Sequence, residues 1–139
     1  MLDYDIQTIC ENTENVVIDM GGDDAGTYPL GRYRAYLSSR SDVKMLYVVN
    51  FRRMLTSSPV QAAEVMGEIE AACGLKIGGI INNTCLGEET DEDIIREGIP
   101  KAEELSRMTG TDIYAHTSPR ELSLEGTMPI DIIMDNRLG

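Results

Sequence analysis

Four short apolar runs alternate with stretches of helical periodicity, and that alternation leaves few folds open to this chain. Asn15–Met20 centres on the β-branched triplet Val16-Val17-Ile18, Val43–Asn50 reads VKMLYVVN, Lys76–Asn83 reads KIGGIINN, and Asp112–His116 is a shorter fourth run. Runs of this kind have the composition of strands buried on both faces. Strand, helix, strand, helix in sequence specifies a parallel sheet with crossover helices. The expectation is an α/β chain with three layers and a mostly parallel sheet. A further strand is predicted at Ile130–Met134, after a loop over Ser118–Pro129.

The intervening segments carry helix punctuation. Residues 4–13 place Ile6, Ile9 and Cys10 on one side of a short helix. Pro29–Ser39 opens with a proline suited to a first helical turn and repeats Leu30, Tyr33, Tyr36 and Leu37. Ser58-Pro59 followed by Gln61 is a capping box for a helix whose stripe is Val60, Ala63, Met66, Ile69, Ala72 and Cys73, with Gly74 placed to end it. Thr90 is the expected cap of the next helix, whose buried side is Ile94, Ile95, Ile99, Ala102, Leu105 and Met108. Gly98 and Pro100 are expected to kink or split it, and Gly110 to stop it. Gly78 and Gly79 inside a strand predict a helix or loop backbone packed very close.

At 139 residues one domain, 1–139, is expected, with room for a real core. The net charge of −12 argues against nucleic acid and anionic lipid as partners, because the few arginines, Arg32, Arg34, Arg40, Arg52 and Arg53, are dispersed among apolar residues. No apolar run reaches the length of a membrane span, and the acidic N-terminus is not a signal peptide. Cys10, Cys73 and Cys85 are odd in number and widely spaced, which predicts reduced thiols in a cytoplasmic protein and no zinc site. The methionines, Met128 and Met134 among them, read as core filler.

Chemistry is expected at the strand ends. Asp19 closes the first run and is followed by Gly21, Gly22 and Gly26, with Asp23 and Asp24 between them. Asn50 closes the second run and Asn82-Asn83 the third. In a parallel sheet these ends share one edge, where ligands of open α/β sheets bind. Asp19 can hold a metal ion there, directly or through water. Gly22 can offer a backbone N–H to a phosphate, and Asn82 or Asn83 can read a purine edge. No nucleophile constellation is present, so no catalytic residue is assigned. His116 has no Ser or Cys partner that spacing singles out.

With those residues in view, the chain resembles the C-terminal half of a ParA/MinD-type P-loop ATPase with a deviant Walker motif. VVIDMGGDDAG is similar to that family's Walker B strand and switch II segment, apolar residues followed by Asp-x-Pro-x-Gly; here Gly21 replaces the proline and Asp23 the last glycine. IINN at Ile80–Asn83 is similar to the strand end whose Asn recognises adenine. The resemblance spans roughly residues 15–134. It implies a partial P-loop NTPase or Rossmann-like fold, ATP and Mg2+ as cofactors, Asp19 at the metal, and Gly21, Gly22, Asn82 and Asn83 at the nucleotide. The family's phosphate loop departs most clearly, since no G-x-x-x-x-G-K-[ST] occurs in the chain. An ATP-binding domain that is incomplete and inactive alone is therefore expected. The alternatives are a non-catalytic interaction module derived from that fold, or a small metal-dependent enzyme using Asp19, Asp23 and Asp24. In the family the phosphate-loop strand lies between those matching Val16–Met20 and Val43–Asn50. Without it the two are expected to pair directly or to be covered by another chain, so a homo-oligomer or a missing N-terminal half is the expected partner.

Overall fold

A computed structural model describes residues 6–21 and 24–133. The chain forms two compact units, residues 1–43 with 67–76, and residues 44–66 with 77–139.

The second unit is an α/β unit built on four strands, β1 (Leu46–Val49), β2 (Gly79–Asn82), β3 (Ile113–Pro119) and β4 (Met128–Ile130), in the order β1-β2-β3-β4. All three pairings are parallel, as the alternating pattern predicted. The register sets Val49 beside Asn82 and Asn82 beside His116. Helix α5 (Glu92–Thr109) packs on β2 and β3 through Ile95, Gly98, Ala102 and Leu105. The core of this unit adds Tyr47, Val49, Phe51, Ala62, Met66, Ile77 and Ile80. Helix α4 (Pro59–Cys73) begins here with the expected capping box: Gln61 N donates to Ser58 Oγ at 3.2 Å, and Ser58 N donates to Gln61 Oε1 at 3.2 Å.

The first unit is helical. It holds α1 (Ile6–Asn12), α2 (Asp24–Thr27), a 3-10 turn over Tyr28–Tyr33, α3 (Arg34–Ser39) and the end of α4. Ile6, Leu30, Leu37, Ile69 and Cys73 are its buried apolar residues. The helix expected over Pro29–Ser39 is thus divided between 3-10 and α geometry. Gly74, at φ +73°, ends α4 as expected.

Several expectations are corrected. Val16–Met20 is not a strand: no strand is formed over residues 13–21, and Val17 is 96% exposed. A β-branched run supplies strand propensity, yet a strand exists only when a neighbour accepts its hydrogen bonds. Val43–Asn50 shortens to Leu46–Val49, which stands first in the strand order, and Val48 is 55% exposed, so one face of β1 is solvated instead of both being buried. The short fourth strand runs on through Ser118-Pro119, because β4 pairs there, and β4 itself sits two residues before the predicted Ile130 start. Helix α5 is not split at Pro100, which lies inside it. Its cap is Asp91, whose carboxylate accepts from Ile94 N at 2.9 Å, while Thr90 serves the preceding turn. The close approach at Gly79 is to the side chains of flanking strands, Leu46 above all. Val60, Met108 and Met128 are exposed, outside the core.

Candidate functional site

The carboxyl ends of β1, β2 and β3 carry polar residues, and the loops leaving them line a half-open cavity of about 540 Å³. That volume lies in the range of small-molecule sites. Each asparagine singled out from the sequence has a different task there.

Asn50 staples two loops. Its Nδ2 donates to Cys85 O at 3.1 Å, and its Oδ1 accepts from Cys85 N at 3.3 Å and Arg52 N at 2.9 Å. The carboxamide thereby imitates one more rung between β1 and β2. Thr56 Oγ1 closes the same turn by donating to Asn50 O at 2.7 Å. Phe51, next in the chain, is 2% exposed, and its N–H donates to Thr84 Oγ1 at 3.3 Å. Its arginine neighbours are thereby left at the surface.

Asn82 is 2% exposed and committed inside the sheet. Its Oδ1 accepts from Thr84 Oγ1 at 2.6 Å, and its Nδ2 lies 3.0 Å from His116 Nδ1. With Asn82 oriented by Thr84, Nδ2 is the donor, and His116 is the neutral tautomer bearing its proton on Nε2. Burial pulls the His116 pKa below its ordinary value, against a smaller opposing pull from Glu103. Protonation of Nδ1 would set donor against donor. Because the folded state resists the proton that unfolded histidine binds near pH 6.5, this contribution to stability is complete above that pH. It is lost as pH falls through the lowered folded value. We therefore expect His116→Gln, whose amide oxygen can still accept from Asn82, to show a smaller drop in Tm between pH 7 and pH 5 than the parent chain. Parallel melting curves for the two proteins check this.

Asn83 lines the cavity, and Asn82 does not. Asn83 N donates to Val49 O at 2.8 Å, and its Oδ1 accepts from Thr117 Oγ1 at 2.6 Å. Its two Nδ2 protons have no hydrogen-bond partner among the described residues, at a half-buried position on the cavity wall. Ser118, 2% exposed, lies 2.6 Å from Thr127 Oγ1, which itself donates to Leu124 O at 2.7 Å. Thr127 has only one proton, so Ser118 is the donor of that pair and its own lone pairs stay free. Leu86, Ile95, Ile130 and Ile132 supply apolar wall. Arg53 stands at the rim with no ion pair or side-chain hydrogen bond among the described residues, whereas Arg52 is held by Glu97 at 3.0 Å and Asp131 by Arg120 at 2.9 Å. Cys85, half-buried, lines the same cavity.

The remaining sequence-predicted residues belong to the first unit. Asp19 and Gly21 lie in its stretch without secondary structure, and Gly22 falls outside the described residues, as does Asp23. Among the described residues no three or more His, Cys, Asp and Glu side chains gather to hold a metal ion. Likewise, none of the helices described is long and apolar enough to cross a membrane. Sequence reasoning missed Ser118, read as the start of a loop, and Thr117, which fell between that loop and the strand expected at Asp112–His116. The signal was Thr-Ser-Pro itself, small hydroxyl residues at a strand terminus. Compared with family models, curated proteins and solved structures, the chain finds no match.

Proposed function

We propose that the sheet-bearing unit binds an adenine nucleotide at the carboxyl edge of its sheet, within a fold derived from a ParA/MinD-type P-loop ATPase, and that this chain alone does not turn the nucleotide over. The observation that carries the reading is the half-buried Asn83 amide, held by Thr117 with both Nδ2 protons free on the wall of a ligand-sized cavity. Adenine offers an acceptor nitrogen beside an amino donor. Asn83 Nδ2 supplies the donor for that acceptor nitrogen. The isoleucine-rich wall suits a flat base, and Arg53, without an ion pair among the described residues, suits a phosphate. Of the nucleotide residues implied by the resemblance, Asn83 fits best and Asn82 is spent on His116. Asp19 alone makes no metal site, so no step is assigned to Mg2+. The three free thiols fit a reducing, cytoplasmic setting.

Phosphoryl transfer rests on positioning and charge stabilisation, and the chain has no phosphate loop to supply them. The expected result of titrating the protein with ATP or ADP is one weak site and no phosphate release above background. Asn83→Ala is expected to weaken that binding by about tenfold, near 1.4 kcal/mol. Calorimetry that detects no heat at millimolar nucleotide, or an Asn83→Ala variant that binds unchanged, overturns the reading. The interaction-module alternative draws on a different feature, the exposure of Val16–Ile18.

A further inference from the structure

Asn15–Met20 and the β1 edge are two features the nucleotide site leaves unused. The first has the sequence of a strand and joins no sheet, with Val17 96% exposed and Val16 and Ile18 each 37% exposed. A Cβ on Gly26 would lie 2.5 Å from Gly21 Cα, so these two glycines meet backbone to backbone just after the run. The second feature is the first strand of the sheet. Among the described residues, no strand lies on the outer side of β1. The β1–β2 pairing uses the carbonyls of Met45 and Val49, which accept from Gly78 N and Asn83 N at 2.8 Å each. Backbone groups alternate in direction along a strand, so those of Leu46 and Val48 face the open side. Leu46–Val49 is short but holds no charge and no proline, and its pairing with β2 has no bulge.

Charge divides the same two stretches. Every charged residue from position 1 to 31 is acidic, with Glu14 and Asp19 bracketing the β-branched run. From 43 to 63 every charged residue is basic, with Lys44 before β1 and Arg52 and Arg53 after it. In a chain of net charge −12 this is a local reversal of sign. We propose that Asn15–Met20 of one copy adds as a strand to the β1 edge of a second copy, giving a reciprocal twofold dimer. Each copy then donates one strand and receives one, so both open features are satisfied at once and the assembly closes. Backbone hydrogen bonds from Leu46 and Val48 hold the added strand, and its acidic flanks meet Lys44 at one end of β1 and Arg53 at the other, Arg52 being held by Glu97.

Light scattering on the full chain tests this. A dimer is expected at ~50 µM, dissociating more readily as salt is raised. Val17→Pro removes a donor from the added strand. Val48→Pro removes one from the receiving edge without touching the β1–β2 ladder, a position where proline is tolerated. Each variant is expected to raise the dimer dissociation constant at least tenfold with an unchanged circular dichroism spectrum. If Val48→Pro disturbs the sheet, Val17→Pro decides alone, since that residue is exposed and in no ladder. A monomeric parent chain overturns the proposal, and so does a dimer that a folded proline variant retains.

Discussion

Phe51→Ala is expected to destabilise the sheet unit by about 3–5 kcal/mol, the range for removing a buried aromatic ring. Phe51 is the only phenylalanine in the chain, and it is 2% exposed although it stands between Asn50 and two exposed arginines. Its position immediately after β1 means that its ring anchors the loop bearing both the Asn50 staple and Arg53. A domain of this size is stable by about 5–15 kcal/mol, so the loss takes a large part of the margin. Urea denaturation is expected to show a lower midpoint at an unchanged slope, the mark of a stability change alone. A loss below about 1 kcal/mol would show that the loop is not anchored by this ring. The nucleotide binding proposed for the cavity is expected to weaken with it, because the Asn50–Cys85 bonds position one wall.

A single methyl group at Gly98 is expected to have the next largest effect. A Cβ there would lie 2.6 Å from Thr84 Oγ1, 2.7 Å from its Cβ and 3.0 Å from its Cγ2. Thr84 is short and stiff at χ1, buried, and bonded to both Phe51 N and Asn82 Oδ1, so it cannot swing aside without breaking those bonds. Overpacking of this kind destabilises by about 1–3 kcal/mol, even though alanine is the better helix former. Gly98→Ala is therefore expected to lower the unfolding midpoint, and the penalty is expected to shrink in a Thr84→Gly background where the clashing atoms are gone. The four-protein cycle measures that coupling directly. Equal penalties in both backgrounds would place the cause elsewhere in the helix.

Local chemistry was readable wherever one residue acts on its near neighbours. The capping box at Ser58, the left-handed glycines at Gly74 and Gly110, and the alternation of strands with crossover helices depend on spacings of a few residues. Asn50 and Asn82-Asn83 likewise mark the carboxyl ends of β1 and β2, because a strand must stop where its apolar run stops. Sequence alone could not say which asparagine is free. That was decided by His116 and Thr84 on one side and Thr117 on the other, partners that lie 34 and 2 residues from Asn82 and 34 residues from Asn83. The same holds for Gly98: its composition signalled a break in α5, whereas the tertiary contact with Thr84 makes it a point of close packing within an unbroken helix. Val16–Met20 is the clearest case. Its propensity belongs to the segment, but its state depends on a neighbouring strand, since extended backbone leaves its hydrogen bonds to be made by another chain segment. The parallel α/β pattern and the polar strand ends thus follow from local residue order. Long-range contacts settle which of those polar groups are spent within the sheet, which keep protons without a partner among the described residues, and which run of strand-like residues stands without a sheet.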